Sequence, residues 1–96
     1  MRSVVAAAIA YVTIAAATVA SAEPPAGAAA CSGCHPSAAR GPSPVARLAG
    51  RDRAEIVKAM HDFRSGERAA TVMDRIAKGF TDDEIQAIAA WYAEQK

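Results

Sequence analysis

Cys31-Ser32-Gly33-Cys34-His35 governs the reading of this chain. Two cysteines separated by two residues, with a histidine directly after, form the attachment pattern for a c-type haem. Each thiol adds across one vinyl group of the porphyrin. The adjoining histidine then stands beneath the iron and binds it through an imidazole nitrogen. The motif uses both cysteines of the 96-residue chain. Other chemistries share parts of the pattern. A thioredoxin-type pair also reads C-x-x-C, but it sits on a strand–helix turn in a βαβ setting, and no strand pattern occurs here. A structural zinc takes four ligands, which Cys31, Cys34, His35 and His61 would complete. A plain disulfide stapling a small exported domain is the simplest alternative. The spacing and the abutting histidine favour haem over all three.

The N-terminus agrees with that reading. Met1-Arg2 is a short basic start, Val4 to Val19 is apolar apart from two threonines, and Ala20-Ser21-Ala22 is a small-residue cleavage site. Together they read as a secretory signal peptide over residues 1–22, with Glu23 opening the mature chain. The apolar stretch is 16 residues long, short of the roughly 20 that span a bilayer as an anchor. Haem attachment to C-x-x-C-H in bacteria takes place beyond the inner membrane, so the expected location is the periplasm.

Residues 23–96 are enough for one domain. A domain this small gains from a staple, a metal or an oligomeric partner, and a covalently held haem would supply a broad apolar surface to pack on. Without Arg2 the acidic and basic residues balance, but unevenly along the chain. Arg40 to Lys78 carries nine basic and five acidic residues, whereas Thr81 to Lys96 carries four acidic and one basic. Such asymmetry can steer a partner, or mark ordinary solvated helix faces. There is no concentrated basic run with aromatic interleaving, so nucleic-acid binding is not expected.

The periodicities predict an all-α domain of three to four helices. A short turn carries the haem motif, and the proline-rich run Pro36 to Pro44 is loop. Asp52-x-x-Glu55 caps a helix with Ile56, Val57, Met60 and Phe63 on one face, stopped by Gly66. A short helix spans about Val72 to Lys78. Thr81-x-x-Glu84 is a capping box for the last helix, with Ile85, Ile88, Ala89 and Tyr92 as its buried stripe and Trp91 at its margin.

Iron held by one histidine takes a sixth ligand or keeps an open site. Methionine sulfur is the usual sixth donor in electron-transfer haem proteins and raises the potential. Met60 lies mid-stripe, where methionine serves as core filler. His61 is one step off that stripe, toward the polar side. Met73 opens a short helix 38 residues beyond His35, enough chain to pass around a porphyrin. Met73 is therefore the favoured sixth ligand, with packing against Ile76 and Phe80 as its structural alternative.

The run Met73-Asp74-Arg75-Ile76-Ala77-Lys78-Gly79-Phe80-Thr81-Asp82-Asp83-Glu84-Ile85, with Ala89-Ala90-Trp91-Tyr92 and Pro44-Val45-Ala46-Arg47-Leu48-Ala49-Gly50, resembles the small class I cytochromes c. Phe63-Arg64-Ser65-Gly66-Glu67-Arg68, followed by Ala70-Thr71-Val72-Met73, is similar to the cytochrome subunit of flavocytochrome c sulfide dehydrogenase. That resemblance implies one covalent haem c, Met73 as axial ligand, and a flavoprotein sulfide dehydrogenase subunit as partner. It also implies that Gly41-Pro42 is the family's Gly-Pro, with the Pro42 carbonyl accepting a hydrogen bond from the proximal histidine. Pro36 after the haem histidine, and Ala69, depart from the family's usual glycine and proline.

The expected role is one-electron transfer with no catalysis in this chain alone. The chain acts either on a flavoprotein or as a freely diffusing carrier. A haem module with an open sixth site and a haem-free thiol redox protein are the other classes to separate.

Overall fold

The computed structural model describes residue 12, residues 23–36 and residues 43–95. The expected signal peptide therefore lies almost wholly outside the described residues, and so do Gly41 and Pro42. The described residues form an all-α domain of four helices: α1 (Ala28–Cys31), α2 (Arg53–Ser65), α3 (Met73–Ala77) and α4 (Asp82–Glu94). None of these helices is long and apolar enough to cross a membrane.

Local chemistry fixes the two long helices. The Asp52 carboxylate accepts from the backbone N–H groups of Ala54 and Glu55, at 2.9 and 3.2 Å, and starts α2. Gly66 ends it in the left-handed region at φ 84°, a conformation that glycine adopts without a Cβ penalty. Thr81 and Glu84 close a reciprocal capping box at the start of α4. Asp82, Asp83 and Glu84 place negative charge on the positive end of that helix dipole.

α2 is the central element, packing on both α3 and α4. Ile85, Ile88, Ala89 and Tyr92 form the buried stripe of α4. Each isoleucine so buried contributes about 1.5–3 kcal/mol of transfer free energy. On α2 only Ile56 is fully buried; Val57, Met60 and Phe63 are half-buried. α1 docks against α4. Ala28 is inaccessible and shares a cluster with Ile56, Ile88, Ala89 and Tyr92. Gly27, the N-cap of α1, has φ 86°, and a Cβ there would lie 2.6 Å from Cε1 of Phe80 and 3.6 Å from Cδ1 of Ile88. A glycine is thus required on both counts, conformation and space.

The C-terminal end of α4 anchors the segment that returns from the proline-rich loop. The backbone N–H of Gly50 donates to the carbonyl of Tyr92 at 3.0 Å, and Leu48 packs on the core cluster. Two fixed points two residues apart, Leu48 and Gly50, give residues 45–50 a defined register beside the haem-motif turn.

Candidate haem site

The motif is one helical turn and its continuation. The N–H of Gly33 donates to the Ala30 carbonyl at 3.2 Å. Those of Cys34 and His35 both donate to the Cys31 carbonyl, at 3.2 and 2.9 Å. Residues at i, i+3 and i+4 share one side of such a turn, so Cys31, Cys34 and His35 are presented together. Both cysteines are free thiols, Cys31 half-buried and Cys34 exposed.

The turn is tied to α4 by side chains. The Tyr92 hydroxyl donates to the Ala28 carbonyl at 2.5 Å. It has one hydrogen, so at the 2.9 Å contact with Ser32 Oγ it accepts. Ser32 lies between the two cysteines, so α4 holds both the helix that leads into the attachment turn and the turn itself.

His35 is half-buried. Its Nδ1 meets the carbonyl oxygen of Ala46. A carbonyl only accepts, so Nδ1 carries the proton. That tautomer has its other lone pair at Nε2, where a metal can bind. A carbonyl on the far nitrogen also orients the ring and makes it a better donor. The acceptor here is Ala46; Pro42, to which the resemblance assigns that role, lies outside the described residues.

Burial pushes the Cys31 thiol above its ordinary value, with a backbone hydrogen bond opposing in part. A redox-active C-x-x-C thiol needs the opposite shift, and gets it at a helix N-terminus. Cys31 instead closes the C-terminal end of α1. His61 does not join the cysteines, since its Nε2 lies 3.5 Å from Asp82 Oδ1, between α2 and α4. Among the described residues no three His, Cys, Asp or Glu side chains gather as a metal site.

Met73 is the first residue of α3 and is half-buried. Met60 is half-buried on α2, one turn after the buried Ile56. The motif turn is tied to α4, and Met73 opens α3, which packs on α2. A cleft of about 160 Å³ is lined by Ser32, His35, Leu48, Trp91, Tyr92 and Gln95. A wider groove of about 580 Å³ runs along α2. Among its lining side chains, Lys58 is paired with Asp62, and Arg53 donates to the side-chain oxygen of Gln86.

These residues fit haem c by their donor chemistry. They offer two free thiols and an imidazole with one nitrogen engaged, all on one turn. Val57, Met60, Phe63 and Met73 are left half-buried. Ile85 is the one large side chain that is fully enclosed among the described residues, so the polypeptide alone makes a thin core for its size.

The all-α fold and the donor set are consistent with a cytochrome c-like domain. The chain's homologues are members of the cytochrome c family, and its cofactor is covalently bound haem c. The cytochrome subunit of sulfide dehydrogenase from Chlorobaculum tepidum is 39% identical over 62 residues, 65% of this chain and 56% of that protein. Cytochrome c4 of Pseudomonas aeruginosa is 34% identical over 70 residues, 72% of this chain and 35% of that one. The thiosulfate dehydrogenase electron acceptor of Stutzerimonas stutzeri is 41% identical over 63 residues, covering 64% and 29%. The chain thus spans about half the length of the first of these and less of the others. No protein-family model matches the chain.

Proposed function

We propose that this chain is a monohaem electron-transfer protein of the periplasm. Cys31 and Cys34 hold the porphyrin, and His35 and Met73 bind the iron. The observation that carries the reading is the Nδ1 contact of His35 with Ala46, which leaves Nε2 as the free donor beside two free thiols. Haem iron supplies a reversible one-electron couple. The protein's part would be to hold the side chains of His35 and Met73 in place through the change of charge. Half-buried Val57, Met60 and Phe63 exclude water from the site, which favours the reduced state, as a thioether ligand does. In this reading Cys31, Cys34 and His35 are all taken up by the haem, and the part left to the chain is to carry electrons. Residues 1–22 export it and are removed.

The more specific reading is a haem subunit that docks on a flavoprotein sulfide dehydrogenase and accepts single electrons from it. The name of the Chlorobaculum relative supports it. A diffusing carrier is the second reading, supported by the Stutzerimonas relative, named as an electron acceptor. Purification from the native membrane-free extract separates them. A stoichiometric flavoprotein companion marks a subunit, and a lone monomer marks a carrier. For the site itself, the oxidised absorption spectrum should show the weak red band of methionine–iron coordination. That band should disappear in Met73→Ala; its persistence would contradict the assignment.

A further inference from the structure

We propose that Arg64 is a positioning residue that registers the two iron-ligand segments against each other, an inference that rests on His35 and Met73 as the axial pair. Arg64 lies in the last turn of α2, its side chain 33% exposed. Its Nη1 donates to the Phe80 carbonyl at 3.3 Å, and its Nη2 donates to Asp82 Oδ1. The two acceptors flank Thr81, the N-cap of α4. One rigid fork therefore grips both sides of the turn between α3 and α4. Lysine, a single point donor, cannot span a carbonyl and a carboxylate in this way.

Phe80 makes this grip consequential. Toward the N-terminus, the turn continues into α3, five residues long, with no side-chain cap at Val72. A helix that short does not sustain itself, so the position of Met73 depends on what holds the α3 ends. Ala77 is fully buried at one end, and the gripped turn follows directly. In the other direction, the Phe80 ring occupies the space a Cβ on Gly27 would need. Gly27 caps α1, which ends in Cys31. One guanidinium thus fixes the backbone of a residue whose ring seats the haem-attachment helix and whose preceding helix begins with Met73. His61 does not duplicate it. At 3.5 Å from the same Asp82 oxygen, His61 is beyond good hydrogen-bond distance.

The test uses the oxidised holoprotein titrated with imidazole, which competes with methionine for iron. Arg64→Ala should bind imidazole about tenfold more tightly than the wild type, the factor carried by one charge-assisted hydrogen bond. Arg64→Lys should fall between the two. Asp52→Ala, which removes the cap at the far end of α2, should lower the melting temperature and leave imidazole affinity unchanged. Unchanged affinity in a folded Arg64→Ala protein, or an equal gain in Asp52→Ala, overturns the proposal. A wild type with no methionine–iron band counts against Met73 rather than Arg64. Amide exchange at Gly79 and Phe80 then decides. Faster exchange in Arg64→Ala upholds the grip on this turn, and equal rates overturn it.

Discussion

Tyr92, near the end of α4, donates its hydroxyl hydrogen to the carbonyl of Ala28, 64 residues earlier in the chain. The same oxygen accepts from Ser32 inside the C-x-x-C spacing. The last helix therefore holds the attachment turn in shape through the polypeptide alone. Tyr92→Phe removes both bonds without opening a cavity and strands a buried carbonyl. The expected loss is about 1–3 kcal/mol of stability, read from urea unfolding. Ser32→Ala leaves the Ala28 bond intact and should cost less than half as much.

Two glycines with nearly the same backbone angle should respond differently to alanine. Gly27 and Gly66 have φ 86° and 84°. Nothing lies within 4 Å of a Cβ on Gly66, whereas one on Gly27 strikes the Phe80 ring. Gly66→Ala should cost about 1 kcal/mol of backbone strain. Gly27→Ala adds overpacking of about 1–3 kcal/mol. Thermal unfolding of the two variants side by side measures the difference. Equal losses would mean that α1 is not seated against Phe80.

Acid should weaken the α2–α4 contact. The Arg64 hydrogen bond, then its charge, hold the Asp82 carboxyl below its ordinary 3.8. Lys58 does the same for Asp62, again chiefly through a hydrogen bond. A carboxyl with a depressed folded value binds its proton more readily in the unfolded chain. Its contribution is present at neutral pH and is lost as pH falls through and below about 4. Asp82→Asn should therefore be less stable than wild type at neutral pH, with the two converging in acid. Urea midpoints across that range test this.

Among the described residues, Met73 and Met60 are the two half-buried methionines, and replacing each separates ligand from filler. Met73→Ala should abolish the methionine–iron band and let the reduced protein bind carbon monoxide. Met60→Ala should keep the band and lose stability, by less than the roughly 2–5 kcal/mol that a fully buried methionine costs. The reverse pattern would move the sixth ligand to α2.

Much of this domain was legible in the residues because its signals are local. The capping box at Thr81, the cap at Asp52 and the stop at Gly66 each act within four residues, and all three stand in the structure. The α4 stripe of Ile85, Ile88, Ala89 and Tyr92 followed from helical period alone. The α2 stripe was read too generously: Val57, Met60 and Phe63 have the right spacing but are half-buried, because burial depends on what lies opposite. The carbonyl behind His35 was the least legible. A backbone acceptor has no side-chain signature, and the choice between Pro42 and Ala46 depends on loop register. In the structure that register comes from Gly50 bonded to Tyr92 and Leu48 set in the core, two contacts that join distant parts of the chain. The Arg64 grip was hidden for the same reason, since it spans 18 residues.

The central claim is a covalent one, and intact mass tests it most directly. The exported protein, recovered from cells that make haem c, should weigh its polypeptide from Glu23 onward plus one haem, and Cys31→Ala with Cys34→Ala should weigh the polypeptide alone. A wild-type mass equal to the bare chain, or to the chain less two hydrogens of a disulfide, would contradict the account.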